Sequence, residues 1–148
     1  MPPTFRLTEQ TDIEPLLGLI EHFYREEQIP FVLETSRGAV EQLVADPSLG
    51  CIWLIECDGR MAGYLVAIFG FILEFGGRQV FLDELYIVPE FQRRGFGTAA
   101  LHFLEEESRR LGARVLRLEV TRTNSQALAL YAKRGFELHD RQTMSKRL

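Results

Sequence analysis

One stretch, Val80 to Gly112, restricts what this chain can fold into more than any other. Val80-Phe81-Leu82-Asp83-Glu84-Leu85-Tyr86-Ile87-Val88 is dense in β-branched, aromatic and aliphatic residues and reads as a buried strand. Pro89 to Phe96 interrupts that run with proline, Gln92, the basic pair Arg93-Arg94 and Gly95. From Gly97 onward Ala100, Leu101, Leu104 and Leu111 recur at three- and four-residue steps, with Ser108 on the same stripe, and Gly112 ends the helix as a C-cap glycine. A strand, a tight basic loop and a helix in that order put the helix's first N–H groups beside the loop. About four of those groups have no partner inside the helix and the macrodipole adds roughly half a positive charge, so the junction suits an anion. Gly95 and Gly97 lack a Cβ, which lets phosphate oxygens approach the amides closely, and Arg93 and Arg94 add charge. The backbone N–H groups from Arg93 to Thr98 are therefore expected to cradle a diphosphate. This is not a Walker A loop, which ends in Gly-Lys-Ser/Thr, and the third glycine of the dinucleotide fingerprint is missing.

The rest of the chain reads as one α/β domain. Thr4–Leu7 alternates like a short strand, and Asp12 is placed to cap a helix striped by Ile13, Leu16, Leu17, Ile20, Phe23 and Tyr24 as far as about Arg25. The link Glu26–Phe31 carries Pro30, and a second helix is expected over about Ser36–Val44. Gly50–Cys57 and Arg60–Phe71 are strand-like and meet at Asp58-Gly59, a strong hairpin signal; Glu74-Phe75-Gly76-Gly77 makes the next turn. Glu105 and Glu106 precede Arg109 and Arg110 by four residues, which predicts a solvated helix face with i,i+4 pairing. Val115–Val120 is a further strand, Asn124 caps a helix that closes at Lys133-Arg134-Gly135, and Phe136–His139 and Thr143–Leu148 are short enough to be closing strands.

Composition narrows the partners. A chain of 148 residues that is 46% hydrophobic suits a single globular domain, and a net charge of −4 argues against nucleic acid while leaving a local basic loop free for the phosphates of a small molecule. No apolar run approaches the roughly 18 residues of a membrane span and no leader-like segment is seen, so no membrane partner is expected and the cytoplasm is the expected compartment. Cys51 and Cys57 fall in one strand about 20 Å apart, beyond disulfide reach. His22, His102 and His139 are scattered without ligand spacing, so no metal is expected.

Gln92-Arg93-Arg94-Gly95-Phe96-Gly97 matches the Gln/Arg-x-x-Gly-x-Gly/Ala signature of the GNAT superfamily of acyl-CoA-dependent N-acetyltransferases, and it follows an Asp-Glu-Leu-Tyr-Ile-Val-Pro strand of the kind seen there. Downstream, Asn124, six residues, Tyr131 and then Gly135-Phe136 resembles the family's second pattern. The chain thus resembles that superfamily from about Thr4 onward, most densely between Val80 and Phe136. The resemblance implies a central mixed, mostly antiparallel sheet of about six or seven strands with four main helices. It implies acetyl-CoA as cosubstrate, its pantetheine arm on main-chain groups of Tyr86, Ile87 and Val88 where two strands splay, and its diphosphate on the loop from Gln92 through Arg93, Arg94, Gly95, Phe96 and Gly97 to Thr98. It also implies that Asn124 touches the pantetheine and that Tyr131 binds near, and protonates, the coenzyme sulfur. Homodimers are frequent in the family, and no stretch here fixes that point.

The chemistry sets its own requirement. A primary alkyl amine with a pKa near about 10.4 is mostly protonated at neutral pH, so a base must take a proton before the nitrogen attacks a thioester. Glu84 is the first choice, acting directly or through a water, and its neighbour Asp83 the second. Alternation along a strand sends the two to opposite faces, so only one reaches a given cleft. Each has a plainer reading as a partner of a basic group or an amide; Tyr131 has one as core, and Asn124 as a cap alone. A small cationic amine is the expected acceptor, with Glu26, Glu27, Glu74, Asp83 and Glu84 as lining. A peptide or protein N-terminus, an amino sugar, and a non-catalytic acyl-CoA-sensing role stay open beside it. The Glu26–Phe31 link reads equally as a plain connection and as an overhang of the acceptor cleft.

Overall fold

The computed structural model describes residues 1–148 and runs β1 (Thr4–Leu7), α1 (Ile13–Glu26), α2 (Leu33–Ala45), β2 (Gly50–Cys57), β3 (Arg60–Ile72), β4 (Gly77–Ile87), α3 (Phe96–Arg110), β5 (Val115–Leu118) and α4 (Ser125–Lys133), with short 3-10 turns at Gln10–Asp12 and Pro89–Phe91. Residues 1–118 and 119–148 are two compact units, taken separately below.

In the first unit the strands lie in the order β1-β2-β3-β4-β5, antiparallel throughout except for the parallel pair β4–β5. The expected hairpin is present: Asp58 and Gly59 have φ of 52° and 71°, the left-handed pair that a two-residue turn between twisted strands requires, and Cys57 faces Arg60. The apolar stripe of α1, with Val40 of α2, packs on Ile52, Leu54, Tyr64, Val66 and Tyr86. Each such aliphatic side chain contributes about 1.5–3 kcal/mol when fully buried. The opposite face of the sheet carries α3, whose Phe103 stacks on Phe5 at 4.4 Å and meets Trp53 edge-on at 5.3 Å.

Several sequence expectations need correction. Asp12 does not cap α1. Its carboxylate accepts from the Glu9 N–H at 2.7 Å and from Arg6 at 2.9 and 3.1 Å, so a strong cation and a 3-10 turn claim the oxygens a cap would use. Helix α2 starts earlier than expected, at Leu33. On α3, Glu106 pairs with Arg109 and Glu107 with Arg110, each three residues apart.

The second unit holds α4 and no strand, so the sheet has five strands rather than six or seven. Asn124 caps α4 as expected, its Oδ1 accepting from the Ala127 N–H at 3.1 Å, and the helix closes at Gly135, where φ is 93°. Phe136–His139 and Thr143–Leu148 are not strands. Leu138, Met144 and Leu148 are at least 80% exposed, so neither segment buries an apolar face that would offset the entropy of ordering it.

One irregularity in β4 decides what its residues face. Val66 of β3 pairs with Glu84 but the next residue, Ala67, pairs with Leu82, which leaves Asp83 as an extra residue in a β-bulge. Before the bulge Leu82 lies opposite Ala67, on the α3 side; after it Glu84 and Tyr86 lie opposite Val66 and Tyr64, on the α1/α2 side. Leu82 and Glu84, two residues apart, therefore face opposite layers. The pairing of β4 with β5 also stops at Leu82–Leu118, just where the bulge begins.

Candidate active site

The loop after β4 is built as a rigid scaffold with its amides left over. Phe91 and Phe96 are buried and stack at 5.5 Å, anchoring both ends of the loop, and the Arg94 guanidinium lies 5.1 and 5.3 Å from their ring centres. The Phe91 N–H donates to Val88 at 2.9 Å, the Gln92 N–H to Pro89 at 3.2 Å, and the Gln92 side-chain amide to the Ile87 carbonyl at 2.8 Å. Gln92 is thus a brace that closes the loop on the end of β4. The next backbone bond in the chain is from Ala99 to Gly95 at 3.0 Å; the N–H groups of Arg93, Arg94, Gly95, Phe96, Gly97 and Thr98 have no acceptor in the protein. Gly95 sits at φ 81°, where a Cβ is strained, and Arg93 at φ 61°, a left-handed residue that no local residue pattern marks.

Beside the loop, β4 has an open edge. β5 ends at Leu118, opposite Leu82, while β4 continues to Ile87 paired only with β3. The Val88 N–H points to Ala62 of β3 at 2.9 Å, so alternation turns the amides of Leu85 and Ile87 to the open side. The segment Tyr86–Val88 thus adjoins free main-chain donors and the loop's amides together.

On the α1/α2 face of the same strand stands Glu84, partly buried. Its Oε2 accepts from the Tyr24 hydroxyl of α1 at 2.5 Å and its Oε1 from the Tyr64 hydroxyl of β3 at 2.8 Å. A carboxylate has about four acceptor positions, so both oxygens keep capacity for one more donor. Burial pushes the Glu84 carboxyl above its usual range, the two phenols pull it down, Asp83 pushes it up, and the net direction is up. The Tyr24 and Tyr64 phenols are themselves pushed up by burial and by the adjoining carboxylate, so they stay protonated donors. Phe23, Tyr64 and Tyr86 form a ring cluster next to this carboxylate, with centroids 5.4 to 6.3 Å apart.

The sign of that shift makes a stability prediction. A carboxyl raised in the folded state contributes stability in full below its unfolded pKa, and loses it as pH rises through the folded one. Measured against Glu84→Gln by chemical denaturation, the protein should lose relative stability as pH is raised from about 4, the unfolded glutamate value. A flat difference would mean that Glu84 titrates as a free side chain.

The other acids separate. Asp83 is exposed on the bulge, one residue from Glu84 but outside its hydrogen-bonded pair of tyrosines. Glu26 accepts from the Tyr86 hydroxyl at 3.3 Å and joins the same face as Glu84, and Glu27 is exposed at the end of α1. Glu74 lies in the β3–β4 turn, about 23 Å along β4 from Glu84 at about 3.3 Å per residue, and does not join them. Tyr24 and Tyr64 were not among the expected site residues. The signal was a hydroxyl on an otherwise apolar stripe, since a buried tyrosine requires a partner.

In the second unit Tyr131 meets Phe136 edge-on at 5.6 Å, and its carbonyl accepts the Phe136 N–H at 3.0 Å, which ties the Tyr131 and Gly135-Phe136 parts of the motif together. Burial pushes the Tyr131 phenol above its usual value. No group of three or more His, Cys, Asp or Glu is gathered to hold a metal ion, and no helix is long and apolar enough to cross a membrane.

A family model described as acetyltransferase (GNAT) family matches residues 16–136. Among curated proteins, the ribosomal protein bS18-alanine N-acetyltransferase of Escherichia coli strain K12 is 39% identical over 84 residues, covering 53% of this chain and 49% of that protein. The chain spans about half the length of the curated relatives it matches. Among solved structures, integron cassette protein HFX_CASS3 from the mobile metagenome of Cole Harbour Salt Marsh has a TM-score of 0.85 at 30% identity, over 97% of this chain and 90% of that one. The aminoglycoside N-acetyltransferase AAC(6')-Iy, solved in complex with CoA, shares the fold with a TM-score of 0.80 at 16% identity, over 98% of this chain and 94% of that one.

Proposed function

This chain belongs to the GNAT family of acetyltransferases, and from that premise we propose that it transfers the acetyl group of acetyl-CoA to a primary amine, with a small cationic amine as acceptor. The observation that carries the reading is the run of amides from Arg93 to Thr98, which donate to nothing in the protein and adjoin the open edge of β4. Amides gathered at a helix start and along an open strand edge face outward together, and a diphosphate with a strand-like pantetheine arm meets both sets of donors. Arg93 and Arg94 add the charge that the diphosphate requires.

Glu84 takes the proton of the incoming ammonium, directly or through one water, and the freed nitrogen attacks the thioester carbonyl. The C–S bond then breaks as the C–N bond forms, and Tyr131 gives its phenolic proton to the departing sulfur. The role of Tyr131 rests on the Asn124-to-Tyr131 motif spacing alone. The nitrogen's second proton, released as the amide forms, returns through water to the Tyr131 phenolate, so the products are an acetamide and free coenzyme thiol, with Glu84 one proton richer and Tyr131 restored. A carboxyl raised by burial suits the base role, because its pKa lies closer to neutral pH.

The cationic acceptor is supported by two carboxylates, Glu84 and Glu26, on one face among aromatic rings, a setting that attracts ammonium through charge and ring quadrupole. A second reading, acetylation of a protein N-terminus, is favoured by similarity to the bS18-alanine enzyme. Thiol release with acetyl-CoA and a panel of a diamine, an amino sugar and an N-terminal alanine peptide separates the two. The diamine is expected to give the highest kcat/KM. The peptide in first place would overturn the small-amine acceptor, and tight acetyl-CoA binding without thiol release on any amine would make the chain a sensor.

A further inference from the structure

We propose that Tyr24 is a positioning residue that orients the Glu84 carboxylate and couples it to the link between α1 and α2, a role that rests on the acetyl-transfer reading above. The two phenols on Glu84 are not equivalent. Tyr64 stands in the middle of β3 with no exposed surface, fixed by strands on both sides. Tyr24 is borne on the last turn of α1, two residues before the helix ends at Glu26, and reaches 60 residues along the chain to Glu84. One oxygen is therefore held by an immobile donor and the other by a donor at a helix end.

That helix end is in turn fixed by the link. Gln28 takes a left-handed turn at φ 58°, which brings the Ile29 N–H back to the Tyr24 carbonyl at 2.8 Å and the Phe31 ring edge-on to the Tyr24 ring at 6.0 Å. Any displacement of the link bears on the Tyr24 ring and so on its hydroxyl. A tyrosine needed only for packing could satisfy its hydroxyl on solvent or a carbonyl; this one donates a hydrogen bond to the carboxylate at 2.5 Å.

The electrostatic consequence has a definite sign. A donor to a carboxylate favours its charged form, so loss of the Tyr24 hydroxyl makes Glu84 hold its proton to higher pH. The groups that bear on the titration of Glu84 are Tyr24 from α1, Tyr64 from β3 and Asp83 from β4, while Glu26 of α1 and Tyr86 of β4 pair with each other on the same face. Tyr24→Phe changes only the first of these.

The test follows the Glu84 carboxyl directly, by carbon NMR titration of protein labelled at the glutamate side chain, with its resonance assigned by disappearance in Glu84→Gln. In Tyr24→Phe the Glu84 midpoint is expected to move to higher pH. The acidic limb of kcat/KM should follow it, losing about tenfold there and staying within about threefold on the plateau, as for one lost hydrogen bond to a charged group. Phe31→Ala, which keeps the hydroxyl, should move the midpoint the same way by less. An unmoved midpoint in Tyr24→Phe overturns the positioning role whether or not the protein acetylates anything. An unmoved midpoint in Phe31→Ala alone overturns the coupling to the link. A midpoint that moves in a protein releasing no thiol from any amine supports the hold on Glu84 and counts against the acetyl-transfer reading only.

Discussion

Glu84→Gln is expected to lower kcat on a primary amine by about 10²- to 10⁴-fold, the range covered by removal of a general base, while acetyl-CoA affinity changes little. The substitution keeps the shape of the side chain and leaves an oxygen to accept from Tyr24 or Tyr64. It removes the ability to take a proton, which is what an acceptor arriving as an ammonium requires. The acid limb of the pH–rate profile that reports the carboxyl should vanish with it, whereas Asp83→Asn, on the exposed bulge outside the phenol pair, should shift the profile much less. The opposite ranking would make Asp83 the base. Raising the pH tests the same point: a poorly basic amine that is already neutral should be affected less by Glu84→Gln than a strongly basic one.

Tyr131→Phe is expected to lower turnover by about 10²-fold, the lower part of the range for an acid catalyst, with acetyl-CoA affinity nearly unchanged. An expelled thiolate is a poor leaving group beside a thiol, so loss of the proton donor bears on C–S cleavage and not on binding. The sign of the pH dependence follows from burial. A phenol pushed above its usual value of 10.0 keeps its proton through the neutral range, so the basic limb of the wild-type profile belongs above pH 10 and should be absent from the variant. Acetyl-CoA binding measured by calorimetry on both proteins, with single-turnover thiol release, separates the two quantities. Equal turnover would remove the acid role and leave Tyr131 as a core side chain packed on Phe136.

Much of this architecture was legible in the residues because its signals are local. The stripe of α1, the Asp58-Gly59 turn, the Asn124 cap and the Gly112 and Gly135 stops each depend on neighbours within a few positions, and the structure has them all. The loop was legible for the same reason: glycine, arginine and a helix start are contiguous, and its amides have no acceptor in the protein. What failed depends on competing or distant partners. Asp12 looked like a cap until Arg6 and Glu9 claimed it. The terminal segments were short enough for closing strands but have no buried face. Strict alternation through Asp83 could not foresee the bulge, which places Glu84 between the two phenols and leaves Asp83 as the extra, exposed residue. Tyr24 and Tyr64 stand 60 and 20 residues from Glu84, and no spacing rule connects them to it.

The extra residue in β4 divides one ribbon into two trades. Up to Leu82 its even-numbered side chains build the layer beneath α3; from Glu84 on, the same parity serves the chemistry. A designer who straightened the strand by pairing Asp83 in register opposite Val66 would invert that parity downstream and rotate the Glu84 carboxylate into grease, even though every residue named in the family signature remained in the sequence. Grafting this site onto another scaffold therefore means transplanting the kink along with the amino acids.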